Sequence, residues 1–149
     1  EPLLKLVAPI CRWEPGQPSP NCDAIAWRLQ QRWRNLPTQT RVFIATELAA
    51  GLYGGVGGIM PTLGQETHDL HVAAVYLQFC AVRPADAISW MGEEILRPFR
   101  DGEKLPDAVL ITPERQIHRV IEFGGKYDAR RVAAFHHDCC TRNLPYELW

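Results

Sequence analysis

The order of elements over residues 107–149 constrains this chain more than any other feature. DAVLIT at 107–112 and HRVIEF at 118–123 are β-rich runs joined by a short polar link that contains Pro113. A helical pattern follows from about Asp128 to Arg142, with Val132, Phe135 and Cys139 on one face, Asp128 as a plausible cap and Asn143 as a stop. PYELW at 145–149 then reads as a last short strand. The first two strands are close enough to form a hairpin. A helix between the last two makes a crossover, which is right-handed and sets those strands parallel. The expected fold class is therefore an α/β sandwich.

Upstream, residues 1–22 read as an irregular arm, because Pro9, Pro15, Pro18, Pro20 and Gly16 repeatedly break regular structure. A helix opens after Asn21 or Asp23 and ends at Pro37, with Ile25, Leu29 and Leu36 on one side. TRVFIAT at 40–46 predicts a strand, and the glycines at 51, 54, 55, 57 and 58 a loop. That loop runs into Pro61 and carries no Lys, so it lacks the helix start and Lys-Ser/Thr of a nucleotide cradle. Residues 66–80 predict a helix whose stripe is Leu70, Ala73, Ala74, Leu77 and Cys80. Residues 85–97 predict another, striped by Ile88, Met91 and Ile95 and closed by Pro98.

With 149 residues, 46% hydrophobic and a net charge of -1, the chain fits one domain and excludes wholesale disorder. No apolar run approaches the roughly 20 residues of a membrane span, so no membrane partner is expected. The start at Glu1, without Met or a basic, apolar leader, reads as a piece cut or processed from a longer chain. Five cysteines without a CxxC pair suit cytosolic thiols better than a disulfide framework, so the expected location is cytoplasmic. Charge is divided unevenly: residues 1–83 carry seven Lys/Arg and six Asp/Glu, residues 84–149 nine and eleven. The acid excess lies in the half that holds the candidate site.

In a hairpin, Asp107 at the start of one strand comes close to Glu122 at the end of the next. Two converging carboxylates and a lysine suit phosphodiester hydrolysis: the acids hold Mg²⁺ or Mn²⁺, the metal activates a water, and the lysine steadies it. The plainer alternatives are a turn cap for Asp107 and a paired carboxylate for Glu122.

Pro106-Asp107, the turn, and then Ile121-Glu122-Phe123-Gly124-Gly125-Lys126 resemble the signature of the PD-(D/E)XK, restriction-endonuclease-like, phosphodiesterase superfamily. The wider pattern, from the His-Asp-Leu helix through Trp-x-x-Glu, PDAVL, EFGGKYDARRVAAFH and LPYELW, is similar to nuclease-like proteins of replication and relaxation of mobile elements. The resemblance covers roughly residues 66–149. It implies a core of helix, three strands, helix and strand, of which the first strand is not evident in the sequence. It also implies that Asp107 and Glu122 hold the metal together with the Phe123 carbonyl, that Lys126 positions water, and that Glu94, preferred over Glu93, assists from the preceding helix. The family's lysine stands two residues after the acid, where this chain has Gly124; Lys126 is four residues on.

Arg130 and Arg131 open the last helix, where bidentate phosphate contacts are expected; salt bridges to Asp128, Asp138 or Glu147 are the alternative. Arg28, Arg32 and Arg34, with Trp27 and Trp33, offer a second nucleic-acid face or an ordinary half-solvated helix. His136, Cys139, Cys140, His68 and His71 include zinc-ligand types but no knuckle, and Cys139 falls on the apolar stripe, so zinc is disfavoured. The expectation is one domain, with an arm at 1–22, an extension at 23–65 and a nuclease-like core at 66–149. It handles DNA, either as a metal-dependent nuclease or as an inactive module that binds DNA or a protein partner.

Overall fold

The computed structural model describes residues 5–34, 41–53, 57–58, 64–99 and 104–149. It is a mixed α/β protein with a five-stranded sheet and six helices: β1 (Cys11–Trp13), α1 (Cys22–Gln31), α2 (Glu47–Tyr53), α3 (Gln65–Val82), α4 (Pro84–Ile88), β2 (Trp90–Gly92), α5 (Glu93–Leu96), β3 (Ala108–Ile111), β4 (Ile117–Glu122), α6 (Ala129–Thr141) and β5 (Tyr146–Leu148). The strands lie in the order β1-β5-β4-β3-β2. Only β4 and β5 are parallel, joined by α6; the other three pairings are antiparallel.

The C-terminal reading holds in detail. Asp128 caps α6, accepting the Arg131 N–H at 2.8 Å, and Asn143 leaves the helix at φ 54°. Val132, Phe135 and Cys139 are buried together with α1 residues Ile25, Ala26 and Leu29 and strand residues Val109, Val120, Tyr146 and Leu148. The other sheet face packs Ala108, Leu110, Ile121 and Phe123 against Val75 and Phe79 of α3. Strand alternation sends each residue to one face or the other, which divides the core in two.

Several expectations are corrected upstream. The arm contains β1, whose Ile10–Trp13 backbone pairs along β5, so residues 1–22 are not wholly irregular. Helix α1 is capped by Asn21, not Asp23, and stops at Gln31, well short of Pro37. Leu36 and Thr40 lie outside the described residues. Residues 41–46 form no strand: they pair with neither edge strand, β1 or β2, and Phe43 is 92% exposed. Gly51 sits within α2, which buries none of its residues, and positions 54–56 lie outside the described residues.

Helix α3 forms where expected but turns a different face inward. His71, Val75 and Phe79, at i, i+4 and i+8, meet the sheet, whereas Leu77 is 64% exposed and Cys80 is exposed. Apolar residues lie all round this helix, so pattern alone cannot select its face. The single helix at 85–97 is replaced by α4, β2 and α5. The free edge of β3 takes Trp90, Met91 and Gly92 opposite Leu110, Val109 and Ala108, and these ladder bonds override local helical preference. Glu94 is consequently in the first turn of a four-residue helix after a strand, not on a long preceding helix.

Candidate nucleic-acid interface

Asp107 and Glu122 do converge. The Ala108–Ile121 register places Asp107 just before β3 beside the last residue of β4. Asp107 Oδ2 accepts the Phe123 N–H at 2.6 Å, and Glu122 Oε2 lies 3.4 Å from the Asp107 N–H. His68 Nε2 stands 2.8 Å from Asp107 Oδ1, and the Tyr127 hydroxyl donates to Glu122 Oε1 at 2.6 Å. Neither His68 as a partner of Asp107 nor Tyr127 was singled out from the sequence. Tyr127 follows Lys126 directly, and His68 belongs to the His-Asp-Leu string, but the α3 rotation that brings it in depends on the packing of Phe79 and Val75.

The electrostatics follow from burial. Glu122 is 4% exposed. Desolvation, then the adjacent Asp107 carboxylate, push its carboxyl up to about 7 against the Tyr127 hydrogen bond and the attraction of Lys104. Lys104 Nζ is 3.9 Å from Glu122 Oε1, the nearest cation described there. Hydrogen bonding to Asp107 raises His68 and favours its imidazolium, although burial opposes this.

Lys126 is not seated on these carboxylates; its amine lies 5.0 Å from the centre of the Trp33 ring. Gly124, two residues after Glu122, is buried. A Cβ there would come within 2.9 Å of Leu29 Cδ1 and 3.0 Å of Leu148 Cδ1. The apolar core formed by α1 and β5 therefore occupies that position.

The residues do not fit a magnesium ion in this arrangement. Both Asp107 oxygens and both Glu122 oxygens face donors of the protein itself. The cavity against Glu122, lined by Lys104, Val120 and Phe135 among others, is about 10 Å³, room for a single water. Mg²⁺ keeps several waters and needs near-octahedral space. Among the described residues, no group of three or more His, Cys, Asp or Glu is arranged to hold a metal ion, and this covers the zinc-ligand types as well. Glu94 lies apart from Glu122, in a cleft of about 250 Å³ with His68, Asp69, Glu93, Asp107, Tyr76 and Trp90.

The basic residues divide into two sets. Arg28 donates to the Ile10 carbonyl at 2.9 Å and so fixes the arm to α1. Arg32 is half-buried, and burial, then Arg28, lower its guanidinium to about 10; its Nη1 meets no acceptor among the described residues. Of the expected Arg28–Arg32 face, Arg28 is thus engaged with the arm, while Trp27 remains 61% exposed. Lys126, Arg130 and Arg131 are all exposed and follow Glu122 directly in the chain. Of the salt bridges considered for Arg130 and Arg131, Glu147 is taken by Arg12 and Arg83, and Asp138 by Arg142. Asp128 caps the backbone, while the Arg131 guanidinium lies 5.8 Å from the Tyr127 ring centre. Trp33, half-buried, donates its indole N–H to the Gly125 carbonyl at 2.9 Å and thereby joins this group.

No family model matches this chain, and neither any curated protein nor any solved structure matches it.

Proposed function

We propose that this is a nuclease-like module that binds DNA through the rim formed by Lys126, Arg130 and Arg131, with Asp107 and Glu122 acting as an internal clamp between β3 and β4. The observation that carries this reading is the gathering of three exposed cations on the loop and first helical turn that leave the carboxyl end of β4. Ligands of open α/β sheets collect at such strand ends, and Asp128, between Lys126 and Arg130, is occupied in capping α6. The order α3, α4, β2, α5, β3, β4, α6, β5 supports a restriction-endonuclease-like core interrupted by the short helices α4 and α5, with β2 in the role of the strand not evident in the sequence. The closed carboxylates, the displaced Lys126 and the packed Gly124 favour the inactive form of that core. No helix among the described residues is long and apolar enough to cross a membrane.

The adjacency of Asp107 and Glu122 favours a second reading, metal-dependent cleavage. One experiment separates the two. The protein is incubated with plasmid and with single-stranded DNA, with Mg²⁺ or Mn²⁺, beside Asp107→Ala and Glu122→Ala. The expected result is intact DNA and salt-sensitive binding, whose salt slope on duplex falls by about 0.9 for each of Arg130→Ala and Arg131→Ala that removes a phosphate contact. Cleavage that disappears in both carboxylate variants overturns the binding-only reading and restores the enzyme. Binding indifferent to salt and to both arginine variants overturns the DNA interface.

A further inference from the structure

Residues 42–53 carry large apolar side chains that a single chain leaves bare. Helix α2 is well started: Thr46 Oγ1 accepts the Ala49 N–H at 3.2 Å, and the Thr46 carbonyl accepts the Ala50 N–H at 2.9 Å. Its base is closed as well, because the Gly58 N–H donates to the Ala45 carbonyl at 2.8 Å. A Cβ on Gly57 would overlap the Thr46 carbonyl oxygen, so this approach requires glycine. The chain leaves and returns at one point, as in a compact surface loop. Yet α2 buries none of its residues: Leu48, Leu52 and Tyr53 are 74, 69 and 89% exposed. A helix this short is not stable in water by propensity alone; packing of an apolar face supplies the rest.

A second bare face lies on α3. This helix meets the sheet through His71, Val75 and Phe79, which leaves Ala73, Leu77, Cys80 and Ala81 exposed on the opposite side. Their spacing of i, i+4, i+7 and i+8 is that of a helix-packing stripe. The two faces match in length, about 10 Å for α2 and about 12 Å for residues 73–81, at 1.5 Å per residue. They match in relief too: Leu48 and Leu52 project one turn apart, and the small Ala73, Cys80 and Ala81 leave room around Leu77. Within one chain the faces do not meet, since Leu77 stays 64% exposed.

Area selects the occupant. The exposed parts of Phe43, Leu48, Leu52, Tyr53, Tyr76 and Leu77 amount to about 850 Å² per copy, at roughly 200 Å² for each large residue. A stable interface takes about 800 Å² from each partner. We infer that two copies of this chain associate by exchanging α2, each laying it on the α3 stripe of the other. Such an exchange about a two-fold axis closes on itself, for each copy gives one helix and receives one. Glu47 opens α2 and Glu66 opens α3, so antiparallel packing is favoured because it holds these acids apart. The inference is independent of the DNA-binding reading.

The test is light scattering of the whole protein after size exclusion, from about 1 µM to about 1 mM, which spans tight to weak association. The mass should rise with concentration to twice that of one chain. Leu52→Lys in α2 and Leu77→Glu in α3 each place a charge on one face. Both positions are exposed in the single chain, so each variant should keep its fold, which circular dichroism checks. Either variant alone should weaken association by at least about tenfold, as loss of a central contact residue does. In a mixture of the two, one α2–α3 pair is untouched and the other sets Lys against Glu, so mixing should recover association that neither variant has alone. A wild type that stays monomeric throughout overturns the exchange, whether α2 folds back on its own chain or receives another protein. Dimers that survive Leu77→Glu, or that the mixture does not restore, show pairing through other faces and overturn it as well.

Discussion

Two glutamates on neighbouring strands are buried to nearly the same degree, and the protein treats them in opposite ways. Glu147, in the middle of β5, is 0% exposed and surrounded by arginines: Arg83 Nη1 at 2.8 and 3.0 Å, Arg12 at 2.9 Å and Arg119 at 3.9 Å. Glu122, at the end of β4, has one lysine at 3.9 Å and is held instead by a tyrosine hydroxyl and a backbone amide. A buried charge is tolerated when paired; otherwise the group tends to neutralise. Glu147 is therefore a fully compensated structural anion that ties β1, α3 and β4 to β5. Glu122 is a carboxyl that gains by keeping its proton near neutrality, as is common at present or former functional sites.

The contrast is tested most severely at Glu147. Glu147→Gln keeps the shape but leaves Arg83 and Arg12 against a neutral amide. Breaking a buried pair costs about 3–5 kcal/mol, and the low end, about 3 kcal/mol, is expected because the Arg12 side chain is 50% exposed. Urea unfolding at neutral pH measures it. A loss below about 1 kcal/mol would mean that the arginines are as content in water as on the carboxylate, and the distinction between the two glutamates would collapse.

A smaller effect sharpens the reason why no cation stands at position 124 beside Glu122. Gly124→Ala puts a Cβ 2.9 Å from Leu29 and 3.0 Å from Leu148, inside a packed core. Overpacking of this kind costs roughly 1–3 kcal/mol. Leu29→Val in the same background should return part of it, since the two positions share one space. An additive double variant would show that α1 is not what excludes a side chain from position 124.

Legibility in the sequence followed the source of each element's stability. The hairpin, α6 and β5 were readable because their apolar periods, Asp128 cap and Asn143 stop all agree locally with the tertiary answer. Trp90–Gly92 was not, because three residues acquire strand geometry only from the open edge of β3. The apparent strand at 40–46 had β-rich composition but no partner in the sheet. At the site, the Asp107–Glu122 approach came from hairpin logic alone. His68 depended on which face of α3 met the sheet, and the obstruction at Gly124 on a contact with Leu29, 95 residues away in the chain. Tyr127 was adjacent to a residue already chosen, yet nothing in its neighbourhood announces that its hydroxyl turns back to Glu122.

The smallest expected effect, at Tyr127, is also the most specific to Glu122. Tyr127→Phe removes a 2.6 Å hydrogen bond from a buried carboxyl and should cost about 1 kcal/mol. Its pH dependence carries more information. The Glu122 carboxyl lies near 7 in the folded protein against an ordinary value of 4.5, so between these limits the folded state binds more protons than the unfolded one. Stability attributable to this group is therefore full below about pH 4.5, falls as pH rises towards about 7, and is level above. Because the Tyr127 bond holds the carboxyl down, its loss raises Glu122 further and extends the decline beyond pH 7. Glu122→Gln, with no proton to lose, should abolish that decline, and the difference between the variants isolates it from His68 and Asp69, which titrate in all three proteins. Unfolding at about pH 5 and about pH 8 suffices to measure it. A Glu122→Gln variant that retains the wild-type slope would show that Glu122 is ionised in the fold, and would remove the difference from Glu147 on which the clamp assignment rests.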